Sequence, residues 1–262
     1  MNREKPILFN TDMVRAILDG RKTVTRRVVK PQPVWVEQDK KYRVCPSGWW
    51  WGLDRIRAID NNELFAQMLK VEAAPYNVGD ILYVRETWAF NPCDKCGHAC
   101  DTQAPDIYSS AEGCFIYRAN YGETEDDSFP PSMFKWRPSI HMPREAARIF
   151  LRVTDVRVER LQDSFTKHGG TIFEIRAEGI NIPEECRDCI DAYGSPCCID
   201  TTEDDGSECG MLDYPRSDFA DLWDSTVRST DRDRYGWAAN PWVWVIAFER
   251  CTKPKEAIDG SV

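Results

Sequence analysis

The sequence predicts an α+β fold: a mixed, partly closed β-barrel flanked by a few short helices and interrupted by two cysteine-rich insertions. Three observations carry that expectation. Apolar residues alternate with polar ones in several short runs, the period of a strand. Elsewhere they fall three and four apart in brief stretches that open on Thr, Ser or Asp and stop at Gly, as short capped helices do. Composition then shifts in two segments, about 91–128 and 183–214, which hold nine of the eleven cysteines. At 262 residues, 42% hydrophobic and 29% charged, the chain is long enough for a single domain over 1–262 that carries those insertions.

Taken in order, Ile7-Leu8-Phe9 reads as a first strand. Thr11 can cap a short helix with Met13, Val14, Ile17 and Leu18 on one face, ended by Gly20 in the left-handed conformation. Thr23, Thr25 and Arg27 then alternate with Val24, Arg26 and Val28 on a strand that Lys30-Pro31-Gln32-Pro33 terminates. Trp49-Trp50-Trp51 reads either as half-buried strand aromatics or as a stacking surface for a base. Glu63 to Leu69 suits one or two helical turns, and Asn77 to Asp80 a turn.

Ile81 to Trp88 reads as one strand, with Leu82, Val84, Glu86 and Trp88 on one face. A carboxylate there needs a partner, so Glu86 is either a structural acceptor or a site residue, with Arg85 or a cation of 21–27 as candidate partner. Ala147 to Leu161 reads as two strands broken at Thr154-Asp155. Thr171 can cap a helix through Ala177 that stops at Gly179, with Glu178 at its last position, where the helix dipole opposes a negative charge. Ser217 or Asp218 can cap a last helix with Phe219, Leu222, Trp223 and Val227 inward, followed by a charged loop from Arg228 to Tyr235. Trp242 to Phe248 is apolar on both faces, as a central strand must be.

Charge is unevenly spread. The chain carries a net −9, yet Arg15 to Lys30 holds six basic residues against Asp19 alone. Between Glu184 and Glu208 lie nine acids and one base, so the acidity belongs mostly to that segment. A basic patch on an acidic chain suits a phosphate or nucleotide, because salt screens charges beyond about 10 Å and the local field decides. No run is long and apolar enough for a membrane span, and the first residues do not resemble a signal peptide, so a cytoplasmic protein without membrane partners is expected.

In that compartment the cysteines read as thiols or metal ligands rather than disulfides. Cys93, Cys96, Cys100 and Cys114, with His98 as a substitute, have spacings that can wrap a tetrahedral zinc. Cys186, Cys189, Cys197, Cys198 and Cys209 form a second group, and Cys93 and Cys96 can equally share one site with Cys186 and Cys189. Zinc is therefore the expected metal, and no organic cofactor is expected.

The stretch Gly20-Arg21-Lys22-Thr23-Val24-Thr25-Arg26-Arg27 resembles the Gly-x-Lys-x-x-Thr-x-Arg signature of ASCH domains, which are PUA-like barrels. Val78 to Trp88 is similar to the family's "GD-x-L-x-V-R-E" strand, and Trp242 to Phe248 to its closing strand. With Trp136 to Pro143, these pieces look like the larger ASCH proteins of tailed phages and prophages, some labelled morphogenetic protein. The resemblance covers about 5–88 and 136–250 and leaves out the cysteine-rich stretches.

The resemblance implies binding of nucleic acid, RNA first, or of a modified nucleoside, with Arg21, Lys22, Arg26, Arg27 and Glu86 in the cleft. Small ASCH enzymes remove the acetyl group from N4-acetylcytidine with a lysine, a threonine and a glutamate, which match Lys22, Thr25 and Glu178 here. An amidohydrolase on an acylated nucleoside is thus the alternative function. A phage assembly or host-interaction protein using the cysteine loops is the third, in each case inside a bacterial host.

Overall fold

Runs of strands are interspersed with short helices along the chain. The structure, a computed structural model, describes residues 3–37, 48–51, 61–91, 109–110, 113–121, 134–163, 171–180 and 213–254. In order these form β1 (Glu4–Leu8), α1 (Thr11–Leu18), β2 (Val24–Val28), β3 (Val34–Val36), β4 (Gly48–Trp50) and α2 (Asn62–Ala73). β5 (Ile81–Arg85), β6 (Trp88–Asn91), β7 (Ser109–Ser110), β8 (Gly113–Tyr117) and β9 (Phe150–Arg160) follow. α3 (Thr171–Ala177), α4 (Asp213–Thr226), α5 (Arg232–Tyr235) and β10 (Trp242–Cys251) complete the chain.

The fold is mixed α+β. Its main sheet has the order β1-β5-β9-β10-β2, and β3-β4 and β6-β8-β7 form two smaller sheets. β1 runs parallel to β5, while β5 with β9 and β10 with β2 are antiparallel. Among the described residues the main sheet is open, where the sequence led us to expect partial closure into a barrel. The chain forms two compact units, residues 1–20, 78–153 and 248–262 in the first and 21–77 and 154–247 in the second.

In the first unit α1 is capped by Asn10, one residue before the expected Thr11: its Oδ1 accepts from the Met13 N–H at 2.8 Å. Gly20 (φ +74°) takes the left-handed conformation that ends the helix. The expected strand from Ile81 to Trp88 is two strands. β5 pairs with β1 and β9, and after Glu86-Thr87 the chain resumes as β6, which pairs with β8. Glu86 turns that corner with its carboxylate held by Arg148, Nε to Oε1 at 2.9 Å and Nη2 to Oε2 at 3.1 Å. Both side chains are buried, so the pair satisfies a charge that an apolar corner would otherwise expel. Arg85 instead donates to the carbonyls of Met142 and Ile140. Ile81, Trp88, Phe115, Tyr117, Met142 and Phe150 pack around this corner.

In the second unit Val24, Leu161, Ile175, Phe219, Trp223, Val243 and Val245 form the core. Burying each such aliphatic or aromatic side chain is worth about 1.5–3 kcal/mol. β10 is buried on both faces from Trp242 to Ile246, in keeping with its apolar run and its interior place in the sheet. β9 is one strand of eleven residues rather than two. Its inward face shifts phase at Thr154-Asp155, from Leu151 and Val153 to Val156 and Val158, and that slip is what broke the alternation in the sequence.

α2 is longer than one or two turns, twelve residues capped by Asn61, whose side chain accepts from the Glu63 and Leu64 N–H groups. α4 begins at Asp213, before the expected Ser217 or Asp218, with Phe219 and Trp223 inward as the pattern requires. Arg228 to Tyr235 is not a plain loop: a 3-10 turn at Ser229–Asp231 leads into α5.

No helix among the described residues is long and apolar enough to cross a membrane. The zinc expectation on Cys93, Cys96, His98, Cys100, Cys186, Cys189, Cys197 and Cys209 lies outside the described residues. Cys114 is buried on β8, opposite Asn91 and Ser109.

Candidate functional site

Strand alternation explains where the basic signature goes. Val24 and Val28 of β2 pack into the core beneath α3 and α4, so Arg26 between them is carried into the same face. A guanidinium there, 5.9 Å from the Phe219 ring centroid, needs carboxylates. α3 supplies two of them, because Glu174 and Glu178 are four residues apart and share a helix face. Arg26 Nη1 donates to Glu178 Oε1 at 2.8 Å and Nη2 to Glu174 Oε2 at 2.7 Å. β9 supplies a third carboxylate, Glu159, at 3.2 Å, and on the same strand face Arg157 links Glu159 to Glu174 at 3.2 and 2.9 Å.

Lys22 enters the cluster from the other side of Glu178. Its backbone forms an isolated antiparallel bridge with Glu178, and the Thr23 N–H donates to Ala177 O at 2.8 Å. This docks the start of β2 against the end of α3. Lys22 Nζ then donates to Glu178 Oε2 at 2.7 Å and to the Glu178 carbonyl at 2.8 Å. Gly179 (φ +91°) ends the helix, and Arg21 donates to its carbonyl at 2.7 Å. Two cations thus sit at the negative end of α3, where the dipole favours them.

The electrostatics follow from that packing. Burial would raise the Glu178 carboxyl, but Lys22 and Arg26 outweigh it and hold it below the ordinary carboxylate range. Burial pushes Lys22 below the ordinary lysine value, against the pull of Glu178. Burial also disfavours charge on Arg26, yet Glu178, Glu159 and Glu174 together raise its value. The cluster holds three cations, Lys22, Arg26 and Arg157, and three carboxylates, so it is internally neutral.

Of the sequence-predicted residues, the structure brings together Arg21, Lys22, Arg26 and Glu178. Thr25 is buried, but it shares the opposite strand face with Arg27, and among the described residues its hydroxyl makes no hydrogen bond to Lys22 or Glu178. Glu86 belongs to the first unit and to Arg148. Trp49 is half-buried, in ring contacts with Trp242 at 5.2 Å and Trp35 at 5.3 Å.

Sequence reasoning missed Glu174, Glu159 and Arg157, although the four-residue spacing of Glu174 and Glu178 and the two-residue spacing of Arg157 and Glu159 were visible. It also missed a cleft of about 510 Å³ beside β2, lined by Arg26, Arg27, Lys30, Trp223, Arg228 and Tyr235 among others. Arg26 and Trp223 are its buried members, Lys30 and Arg228 are exposed, and Asp231 is the one acid of the lining. Lys30 Nζ lies 5.1 Å from the Tyr235 ring centroid.

No protein-family model matches the chain, no curated protein matches it, and no solved structure matches it.

Proposed function

We propose that the chain is a PUA-like ASCH protein that binds nucleic acid, RNA before DNA, or a modified nucleoside, through the basic cleft beside β2. The observation that carries this reading is the gathering of Arg26, Arg27, Lys30 and Arg228 around one cleft in a chain of net charge −9. Two of those cations come from the signature that resembles the ASCH motif. Phosphates are the anions that such a lining suits, and Tyr235 offers a ring face to a base. The mixed sheet is compatible with the PUA-like core, and a bacterial cytoplasm hosting a phage or prophage is the expected setting. Single-stranded RNA is expected to bind with an affinity that falls steeply as salt rises from about 50 to 200 mM, each lost phosphate contact flattening the slope by roughly one. Arg27→Gln and Lys30→Ala should each flatten it. Binding indifferent to salt and to both substitutions would reject the reading.

A second reading rests on Lys22. A buried lysine that burial pushes below its ordinary value, 2.7 Å from Glu178, can take a proton from a nucleophile once it has given up its own. It favours an amidohydrolase that uses water to turn N4-acetylcytidine into cytidine and acetate, with Glu178 orienting Lys22; the ASCH resemblance gives the nucleophile as Thr25, which here lies on the opposite strand face and would have to turn toward Lys22. Acetate release from N4-acetylcytidine tests it directly.

A further inference from the structure

A carboxylate in a cleft that attracts phosphates works against binding, because it repels the anion that the cations draw in. Asp231 is that carboxylate, half-buried in a lining it shares with Arg26, Arg27, Lys30 and Arg228. Its place in the chain suggests a cap. Asp231 ends the 3-10 turn Ser229–Asp231 and is the N-cap residue of α5, where an Asp side chain normally accepts from a backbone N–H of the first turn. Here it makes no such hydrogen bond, and among the described residues its carboxylate joins no ion pair. Two of the lining cations face other groups: Arg26 holds Glu178, Glu174 and Glu159, and Lys30 Nζ lies 5.1 Å from the Tyr235 ring centroid. Neither structural role that an Asp usually fills is filled.

The backbone that carries this carboxylate is tethered. Trp223 Nε1 donates to the Tyr235 carbonyl at 2.8 Å, Arg232 Nη2 to the Asp224 carbonyl at 3.2 Å, and the Trp237 N–H to Asp224 Oδ1 at 2.7 Å. Gly236 has no room for a side chain, since a Cβ there would lie 2.6 Å from Arg232 O. Asp224 is thus consumed by the packing of α5 on α4. Asp231, at the other end of α5, is held at the cleft with its acceptor oxygens unspent.

We infer that Asp231 is a specificity-determining residue of the cleft, its carboxylate accepting a hydrogen bond from a neutral donor of the bound nucleotide while the cations around it take phosphate. The inference rests on the nucleic-acid or nucleoside reading above and deepens it. A carboxylate accepts and cannot donate, so it selects groups that carry N–H or O–H. A nucleotide brings such a donor from two sources. One is the exocyclic amine of a base such as cytosine, for which Asp and Glu are suited acceptors and in whose place uracil has a carbonyl oxygen. The other is the ribose 2′-hydroxyl, which RNA has and DNA lacks.

The test is a titration of the whole protein with three single-stranded oligonucleotides of one length, oligo(rC), oligo(rU) and oligo(dC), repeated on Asp231→Ala and Asp231→Asn. The side chain makes no cap hydrogen bond, so both variants should melt close to wild type. Wild type should bind oligo(rC) about tenfold or more tightly than oligo(rU) if the amine is read, or than oligo(dC) if the hydroxyl is read. Asp231→Ala should bind the preferred oligonucleotide about tenfold more weakly and lose the preference; Asp231→Asn, which exchanges one acceptor for a donor, should reduce it. A carboxylate that merely sits among the cations predicts the opposite sign, since its removal relieves repulsion. An Asp231→Ala protein that binds the preferred oligonucleotide as tightly as wild type or more so therefore overturns the inference, and so does equal affinity of wild type for all three. In either case, binding that weakens with salt and whose slope Lys30→Ala flattens leaves the broader reading standing. No binding of any oligonucleotide overturns both.

Discussion

Glu178→Gln is the substitution that most cleanly probes the buried cluster. It keeps the shape of the side chain and one acceptor oxygen, but removes the negative charge between Lys22 and Arg26, whose side chains are 0% and 1% exposed. Removing one partner of a buried pair costs about 3–5 kcal/mol, because the remaining charge is left without compensation. The lower end applies here. Lys22 keeps the Glu178 carbonyl, and Arg26 keeps Glu174 and Glu159. A loss of about 3 kcal/mol corresponds to a fall of about 6–12 °C in Tm for a chain of this size. The companion variant Lys22→Met/Glu178→Gln removes both charges. It should be destabilised by less than the sum of the two single changes, with a coupling of about 1–3 kcal/mol.

The same pair makes a pH statement. Glu178 is held below its ordinary value in the folded state, so the unfolded chain binds its proton first as pH falls. The stabilisation is complete above the unfolded carboxylate value near 4.3 and is lost as pH drops through the lower folded value. Glu178→Gln should therefore flatten the acid limb of the stability curve. Thermal and urea melts of wild type, Glu178→Gln, Lys22→Met and the double variant between about pH 3 and 8 provide the assay. A Glu178→Gln protein within about 0.5 kcal/mol of wild type, or strictly additive single changes, would refute the reasoning.

Three further outcomes are expected. Gly236→Ala should cost about 1–3 kcal/mol, because the backbone must shift to clear Arg232 O, and should weaken RNA binding by displacing Tyr235; unchanged melting and affinity would contradict the close approach. Thr25→Ala should reduce RNA affinity by no more than a hydrogen bond, about 0.5–1.5 kcal/mol, if the site only binds, but should cut acetate release about 10²-fold or more if it hydrolyses; titration and turnover on one preparation separate the two. Protein purified without chelators is expected to carry zinc on thiolates such as Cys93, Cys96, Cys186 and Cys189, and elemental analysis finding less than about a tenth of an equivalent would contradict that.

What could be read from the chain was local. Gly20 and Gly179 mark the ends of α1 and α3 because their backbone needs a left-handed residue, and that requirement is written in the sequence. β10 announced itself through an apolar run too long for a strand with one wet face. The partners of the charges were not legible. Arg26 meets Glu159, Glu174 and Glu178 across separations of 133, 148 and 152 residues, a match only the folded topology can make.

Glu86 shows the same limit at closer range. Arg85 was its apparent partner by adjacency, yet neighbouring strand residues point to opposite faces, and Arg148 of a distant segment takes the carboxylate instead. The run from Arg228 to Tyr235 looked like a solvated loop because it is dense in charge. Its 3-10 turn and short helix depend on Trp223 and Asp224, which hold the Tyr235 carbonyl and the Trp237 N–H. The cleft was therefore hidden in a segment whose composition suggested no structure.

The most direct measurement of the central claim is a crystal structure of the protein with a single-stranded RNA at saturating concentration. Phosphate oxygens should lie roughly 2.7–3.2 Å from donors of Arg27, Lys30 or Arg228, with the base against Tyr235. A ligand bound elsewhere on the chain, with the cleft beside β2 left to solvent, would contradict the account.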